Sequence, residues 1–341
     1  MAKKIPSTSC NLITVQIVNI PLKLLLEGNA ESGRGKCGML LNNIVDYCYN
    51  DYWIHRHNCF CDDSCSANCN VCLEKIHFNK VLRHYDCRSM IDYYVCKYIY
   101  RQASEMAALL RCLPWPRALR SMRVLSIGCG SCSDLYAFLY HMAQKGSQLK
   151  LQYLGVDKNY LWQLVHRCIV HWADDYNLDV AFKYANVLDL FNKDDVRNKF
   201  GLPDVLVMQY FLSDMARVTA VKNMCQLIDD IVCQIIKRMP DGSLIIINDI
   251  NARQHTFFRQ LVSFPTARYY FEYLEQQVLS LSPRSKVWKF HFPLVGRRKY
   301  YRYGWKHPGN DILFAVPAYI KKNFSPWEKC GSAQLVIRKG F

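Results

Sequence analysis

Residues 123–133 have the sequence RVLSIGCGSCS, a short apolar run that leads directly into a turn containing two glycines. The run Arg123–Ile127 has the length and aliphatic content of a buried β-strand. Gly128 and Gly130 allow the backbone to turn sharply and to approach a ligand, and a helix starting at Ser133 would present its free N–H groups there. A GxG pair is weak evidence on its own, and its position between strand and helix gives it weight. The stretch predicts a strand–turn–helix unit with a ligand site at the turn.

The same alternation of apolar runs and amphipathic stretches continues beyond this unit. The predicted strands are Arg123–Ile127, Gln152–Val156, Val180–Tyr184, Val205–Met208, Leu244–Ile247, Trp288–Phe292 and Gln334–Ile337. The predicted helices are Ser133–Ala143, Leu161–Asp175, Lys193–Phe200, Arg217–Arg238 and Arg253–Leu279. Strand–helix units followed by a terminal strand pair predict an α/β fold, with a doubly wound, mostly parallel, seven-stranded Rossmann-like sheet.

The domain organisation is predicted from a change in composition. Residues 1–116 are rich in cysteine and aromatic residues and only weakly periodic, and Pro114-Trp115-Pro116 is a cluster that breaks regular structure. We therefore expect an accessory region over 1–116 and a ligand-binding domain over 117–341. A basic and aromatic insertion is expected in that domain, near 284–330.

Composition restricts the class of protein. The 341 residues are 51% hydrophobic and 21% charged, as in a globular chain, and their net charge of +16 favours polyanionic partners such as RNA or DNA. A merely basic soluble protein is the alternative. No run of about 18 apolar residues is present, so we expect no membrane span. The stretch Leu12–Leu26 contains Pro21 and Lys23 and lacks a cleavage site, which predicts an intracellular protein, cytoplasmic or nuclear, that is not secreted.

Ten of the seventeen cysteines lie between Cys37 and Cys112, which indicates metal ligation rather than a disulfide scaffold. Zinc prefers about four thiolate or imidazole ligands in a tetrahedron, and Cys69-x-x-Cys72 has a suitable spacing. The candidate ligands are His57, Cys59, Cys61, Cys65, Cys69 and Cys72. An iron–sulfur cluster and buried cysteines without metal are the alternatives.

Two further residues at predicted strand ends are candidates for the ligand site. Asp157 ends the second strand, where an acidic residue in a doubly wound fold accepts hydrogen bonds from the ribose of an adenosine cofactor. Asn186 follows the third strand and has a side-chain amide that suits the adenine edge. The alternatives are a helix N-cap for Asp157 and an ordinary turn residue for Asn186.

Taken together, these motifs resemble the class I S-adenosylmethionine-dependent methyltransferases. The matching segments are IGCGSC at 127–132, GVD at 155–157, ANVLDL at 185–190, DVLVMQYFLSD at 204–214 and GSLIIINDI at 242–250. The resemblance covers about two thirds of the chain. It implies S-adenosyl-L-methionine as the cofactor, bound at the turn and at Asp157, with the end of the fourth strand facing the transferred methyl.

The resemblance also implies roles for individual residues. The implied cofactor-binding residues are Ser126, Gly128, Cys129, Gly130, Asp157, Asn186, Val187 and Gln209. The implied catalytic residues are Gln209, Tyr210 and Asp249. Two positions depart from the family pattern: Ser126 replaces the usual acid of the first motif, and Cys132 replaces the third glycine.

A nicotinamide-binding Rossmann domain is the closest rival. Its turn requires GxGxxG, and Ser133 occupies the position of the last glycine. The terminal strand pair also favours the methyltransferases.

The substrate is indicated by two features. The fourth strand is followed by neither the Asn/Asp-Pro-Pro-aromatic motif of exocyclic-amine methyltransferases nor the Pro-Cys pair of cytosine-C5 enzymes, which disfavours both kinds of DNA chemistry. Basic residues alternate with stacking rings between Arg284 and Lys306, a pattern typical of nucleic-acid binding. The candidate RNA-binding residues are Arg297, Arg298, Lys299, Arg302 and Trp305. A strand with alternate residues facing solvent would give part of the same pattern.

The sequence thus predicts a methyltransferase acting on nucleic acid, RNA more readily than DNA, with structural zinc. A non-catalytic, zinc-containing RNA-binding or assembly protein on a methyltransferase fold is the main alternative. A protein or small-molecule methyltransferase is the lesser one.

Overall fold

The structure is a computed structural model that describes residues 35–56, 68–78, 85–113, 115, 121–145, 150–173, 178–191, 200–252, 254–256, 263–293 and 302–340. Its strands, in chain order, are β1 (Ser121–Ile127), β2 (Lys150–Asp157), β3 (Leu178–Tyr184), β4 (Val205–Gln209), β5 (Leu244–Ile250), β6 (Gln254–Thr256), β7 (Ser263–Pro265), β8 (Lys286–His291), β9 (Trp305–Lys306) and β10 (Ser332–Arg338). All seven predicted strands are present, with ends shifted by a few residues.

The main sheet has the order β3-β2-β1-β4-β5-β10-β8-β9. Strands β1 to β5 are parallel, and β10 is antiparallel to both of its neighbours. The predicted α/β class and the doubly wound, mostly parallel sheet are confirmed, with β9 as an eighth, two-residue strand. All five residues of β4 are buried, as expected for a parallel strand covered on both faces.

The helices are α1 (Gly35–His55), α2 (Cys69–Phe78), α3 (Arg88–Cys112), α4 (Ser133–Gln144), α5 (Gln163–Ala173), α6 (Val187–Phe191), α7 (Phe211–Val218), α8 (Val221–Gln234), α9 (Ala267–Leu281) and α10 (Ala318–Phe324). They form two layers, one on each face of the sheet, because the side chains of neighbouring residues in a strand point to opposite faces. In β1, Val124 packs with α1, α3 and α4, whereas Leu125 and Ile127 pack with α8 and α9. Among the described helices, none combines the length and apolarity that crossing a bilayer requires.

Two predicted helices were wrong in extent. The single helix predicted over 217–238 is instead α7 and α8, because Thr219 and Ala220 adopt extended backbone between them. The helix predicted from Arg253 begins only at Ala267, because the β6–β7 hairpin precedes it and Pro265 disfavours a helix interior. Of the helix predicted over 193–200, all but Phe200 lies outside the described residues.

The described N-terminal helices pack onto the sheet domain. Residues 35–341 make one compact unit. Within it, α3 crosses the carboxyl ends of β4 and β5, where the main-chain oxygen of Gln102 accepts from Gln209 Nε2 at 2.7 Å. The boundary near Pro116 stays a prediction, since residues 116–120 lie outside the described part of the chain.

Candidate functional site

The strand order reverses between β1 and β4. In open α/β sheets, ligands bind outside the carboxyl ends of the strands at such a reversal. The turn after β1, the end of β2 and the residues after β4 and β5 all lie at this edge.

The turn after β1 needs its glycines. Gly128 and Gly130 have φ of +65° and +45°, values that favour glycine. A Cβ on Gly128 would lie 2.6 Å from the Phe211 ring. Neither the backbone conformation nor the space at this position therefore suits a residue with a side chain. Cys132 also has a positive φ, of 56°, and directly precedes α4. Cys132, which replaces the third glycine of the family pattern, therefore keeps the left-handed backbone that a glycine would adopt.

Asp157 supports this turn. Its Oδ2 accepts from the Gly130 amide at 3.0 Å, and its Oδ1 accepts from the Asn159 amide at 2.8 Å. Burial raises the pKa of the Asp157 carboxyl, although these hydrogen bonds oppose the shift. The cap of the following helical turn is Asn159, whose Oδ1 accepts from Leu161 N at 3.0 Å. The N-cap of this helical turn is thus Asn159 rather than Asp157.

Ser126, the other departure, lies beside a buried carboxylate. The carboxyl of Asp134, in the first turn of α4, is hydrogen-bonded by Ser126 and by the Tyr153 hydroxyl at 3.0 Å. Burial raises the pKa of Asp134 to about 6. An acidic group is therefore present next to the first motif, supplied by the helix rather than by the strand.

A cluster that the sequence analysis did not predict lies against the turn. The side chains of Cys129, Cys132 and His166 are buried, and their ligand atoms all lie within 4.8 Å of one another. Burial would raise the pKa of Cys132, but the hydrogen bond with Cys129 and the His166 imidazole lower it to about 7. The Cys-x-x-Cys spacing was the available signal, whereas nothing local in the sequence indicated His166.

Asn186 and Val187 follow β3. Asn186 is exposed, and its Oδ1 accepts from Leu188 N at 3.1 Å at the start of α6. Val187 is buried in the core with α8 and α9. Asn186 thus makes the side-chain contact of an ordinary turn residue, and the adenine-binding role of both residues stays a prediction.

Gln209 and Tyr210 have internal hydrogen-bond partners. Gln209 Oε1 accepts from Ser133 Oγ at 3.2 Å, which links β4 to the turn. Tyr210 has φ of +55° and its hydroxyl donates to Glu105 at 2.7 Å. Both residues are therefore held by α3 and α4, and their catalytic roles stay predictions.

Asp249 is buried near the carboxyl end of β5. Its side chain is fully buried, with oxygens that accept from Ser213 N at 3.0 Å and Ile250 N at 2.7 Å. Burial raises the pKa of Asp249 to about 7. Asp249 is thus placed to orient α7, and its catalytic role also stays a prediction.

A cavity of about 760 Å³ opens beside the ends of β4 and β5, between α3 and α7. Its aromatic lining consists of His77, Tyr85, Tyr94, Tyr98, Tyr210, Tyr270 and Trp327. Its charged lining consists of Arg101, Asp214 and Arg217. The tyrosines at 94 and 98, one helical turn apart, were the sequence signal that the analysis did not use.

Tyr85 connects the cavity with the loop after β2, which lies beside the glycine turn. Its hydroxyl donates to Asp214 at 3.0 Å and lies 3.0 Å from His77 Nε2. Its main-chain oxygen accepts from Asn159 Nδ2 at 2.6 Å, two residues after Asp157. Burial lowers the pKa of His77, so the imidazole is neutral at pH 7.

The predicted metal ligands are only partly described. Cys69 and Cys72 are buried in the first turn of α2. His57, Cys59, Cys61 and Cys65 lie outside the described residues.

The basic and aromatic stretch 284–306 has some residues at the surface and others in the core. Arg302 and Trp305 are exposed, Trp305 by 74%, whereas Tyr303 is buried and Lys289 pairs with Glu275 at 2.6 Å. Arg297, Arg298 and Lys299 lie outside the described residues.

Comparison with known proteins gives matches among solved structures alone. No protein-family model and no curated protein matches the chain. A putative class I S-adenosylmethionine-dependent methyltransferase from Listeria monocytogenes is 10% identical, with a TM-score of 0.36 over 70% of this chain. The chain spans 58% of the length of that protein.

Two other solved structures are similar at the same level. An O-methyltransferase family protein from Burkholderia thailandensis is 12% identical, with a TM-score of 0.42, covering 88% of this chain and 72% of that one. The rRNA methyltransferase AviRa from Streptomyces viridochromogenes is 14% identical, with a TM-score of 0.31, covering 47% and 77%. These scores are too low to carry a functional conclusion.

Proposed function

We propose that this protein is an S-adenosylmethionine-dependent methyltransferase that acts on a nucleic acid, RNA in preference to DNA. The observation that carries the proposal is the glycine turn supported by Asp157 at the reversal of the sheet, next to a cavity lined by aromatic rings.

The residues at the turn fit the cofactor. Each Asp157 oxygen accepts one main-chain N–H and keeps a lone pair, which suits a diol such as ribose. Gly128 and Gly130 allow close approach of the backbone, and Ser126, Cys129, Asn186, Val187 and Gln209 complete the proposed binding set. Bound S-adenosylmethionine supplies an electrophilic methyl group.

The cavity would hold the group to be methylated. Its rings suit stacking of an unpaired base, and Arg217 suits a phosphate-bearing substrate, whereas Arg101 pairs with Glu105 at 2.9 Å. Asp214 lies on the cavity wall, and we assign it to accept the proton that the substrate loses. Tyr85 would orient that carboxylate through its hydroxyl. Tyr210 and Asp249 would position the walls through Glu105 and Ser213.

One observation favours the non-catalytic alternative. Gln209, the residue expected to face the methyl, is buried and already bonded to Ser133 and to the main chain of Gln102. An RNA-binding or assembly protein would need only the fold and the basic surface.

Calorimetric titration with S-adenosylmethionine and S-adenosylhomocysteine separates the two. We expect binding that weakens at least tenfold in Asp157→Asn, because the amide replaces one acceptor oxygen with a donor. The control is Asp179→Asn, an exposed acid at the edge of the sheet. Absence of binding by the wild-type chain, or an unchanged affinity in Asp157→Asn, would contradict the cofactor assignment.

The RNA assignment has its own test. Replacing Arg297, Arg298 and Lys299 by alanine is expected to weaken RNA binding and to flatten its salt dependence. Alanine at the exposed Lys222, Lys237 and Arg238 removes the same charge elsewhere and serves as control. Methyl transfer from radiolabelled cofactor to total RNA, DNA and protein fractions then identifies the substrate class. Label in DNA or protein alone would refute RNA.

We also propose a structural zinc held by ligands from His57, Cys59, Cys61, Cys65, Cys69 and Cys72. The support is the ligand-rich spacing together with the burial of Cys69 and Cys72. Loss of one metal equivalent in a Cys69→Ser, Cys72→Ser variant is expected. Unchanged metal content would show that Cys69 and Cys72 are not ligands of this zinc.

A further inference from the structure

The cluster beside the glycine turn has the composition of a metal site. Two thiol sulfurs and one imidazole nitrogen converge there from two segments of the chain, the turn and α5. The exposed fractions are 7% for Cys129, 0% for Cys132 and 2% for His166, so solvent contributes little to the cluster.

The three ligand atoms lie close enough together to surround one tetrahedral ion. With bonds of about 2.3 Å to sulfur and about 2.0–2.1 Å to nitrogen, tetrahedral ligand atoms lie roughly 3.3–3.8 Å apart. Cys129 Sγ lies 3.8 Å from His166 Nε2. The carbonyl oxygen of Gly130 lies 3.7 Å from Cys132 Sγ and 2.8 Å from His166 Nε2. At 2.8 Å the Gly130 oxygen is a hydrogen-bond acceptor for Nε2 and lies closer to it than a second ligand of a tetrahedral ion would, so the fourth position is left to a water molecule.

The surroundings fix the orientation of the cluster. His166 stacks on Phe182 with ring centroids 4.0 Å apart, and its Nδ1 lies 2.9 Å from the Tyr184 hydroxyl. An outer partner on the second ring nitrogen is the usual arrangement for an imidazole that ligates a metal. Gly155 leaves room for the Cys129 sulfur, because a Cβ there would lie 2.9 Å from it.

The charge also balances. Two thiolates and a neutral imidazole around a divalent cation make a complex without net charge, which is the form that a buried site tolerates. Binding would release the two thiol protons into solvent. It would also move the imidazole proton from Nε2, which donates to the Gly130 carbonyl oxygen at 2.8 Å, to Nδ1, where it would donate to the Tyr184 hydroxyl.

We infer that Cys129, Cys132 and His166 bind one thiophilic divalent cation of the Zn²⁺ class and thereby fasten the glycine turn to α5. This site is separate from the zinc proposed at residues 57–72, and it does not depend on methyl transfer.

The test uses the full-length chain purified anaerobically under reductant. Zinc is measured by mass spectrometry, and Co²⁺ replacement is followed by the near-ultraviolet thiolate-to-cobalt absorption. We expect Cys129→Ser with Cys132→Ser to lose one metal equivalent and part of that absorption. The matched control is Cys225→Ser with Cys233→Ser, which removes two thiols from the surface helix α8 and is expected to keep the wild-type metal content.

Equal metal content in the wild-type chain and the Cys129, Cys132 variant would overturn the inference. So would a Cys129–Cys132 disulfide that persists under reductant in intact-mass measurements. If the double variant does not fold by circular dichroism, His166→Gln decides with both thiols in place. We expect at least tenfold weaker Co²⁺ binding from it, and an unchanged Co²⁺ titration would also overturn the inference.

Discussion

The two ends of the crevice are built in opposite ways. At β1 and β2 the chain closes tightly: Asp157 accepts from the Gly130 amide, and the Cys/His cluster contacts the Gly130 carbonyl oxygen through His166. At β4 and β5 it leaves a cavity of about 760 Å³ lined by rings and a few charges. A tight turn suits a ligand of fixed shape held by backbone, whereas a ring-lined cavity suits selection of a substrate by stacking.

Tyr85 belongs to both ends. Its main-chain oxygen is bonded to the loop after β2, and its hydroxyl is bonded to Asp214 after β4. We therefore expect substitutions at the glycine turn to act through backbone conformation and packing, and substitutions at the cavity to act through side-chain contacts.

The largest effect is expected at the turn itself. Gly128→Ala imposes a left-handed alanine and a 2.6 Å contact with Phe211, and should cost about 2–4 kcal/mol in unfolding free energy. Gly242→Ala has a similar φ, of +83°, but its nearest neighbour is the flexible Arg338 end at 3.8 Å, so about 1 kcal/mol is expected. Urea denaturation of both variants measures the difference. Equal losses would mean that packing at the turn contributes nothing.

The next effect concerns pH. Asp249 has a pKa of about 7 in the folded chain against an ordinary value of 3.8, so the folded state holds the proton more tightly. Its contribution to stability is complete below about pH 4 and is lost as pH rises to about 7. Asp249→Asn should remove this negative contribution, which is up to about 1.4 kcal/mol per pH unit, from the slope of unfolding free energy against pH in this window. Parallel curves for the two proteins would refute the burial effect.

Removing the link between the two ends should have a smaller effect. Tyr85→Phe deletes the hydroxyl that donates to Asp214 and is expected to cost about 1–2 kcal/mol. A double-mutant cycle with Asp214→Asn isolates the pair. Additive losses would show that the hydroxyl and the carboxylate are not coupled.

The smallest effect is expected on the exposed basic segment. Arg302→Ala should change unfolding free energy by no more than about 0.5 kcal/mol. Under the proposed function it should lower the salt slope of RNA binding by about 1. Filter binding at several salt concentrations measures that slope. Lys322→Ala, which removes an exposed cation from α10, is the control, and an equal change in both variants would assign the effect to net charge alone.

Much of the fold was determined by the sequence itself. The runs that became β1, β2, β4 and β5 were predicted because parallel strands buried on both faces are mostly apolar, a property visible in a few consecutive residues. The glycine turn was also predictable from local sequence, because a left-handed backbone at Gly128 and Gly130 favours glycine, which the sequence shows directly.

Tertiary structure decided what depends on residues far apart in the chain. His166 joins Cys129 and Cys132 across 37 and 34 positions, and Tyr85 meets Asp214 across 129, separations at which no local pattern exists. Helix α3 likewise places Glu105 at the ends of β4 and β10 through contacts that its own sequence does not encode. Local sequence fixed the strand ends that hold the turn, and long-range packing decided which side chains meet around it.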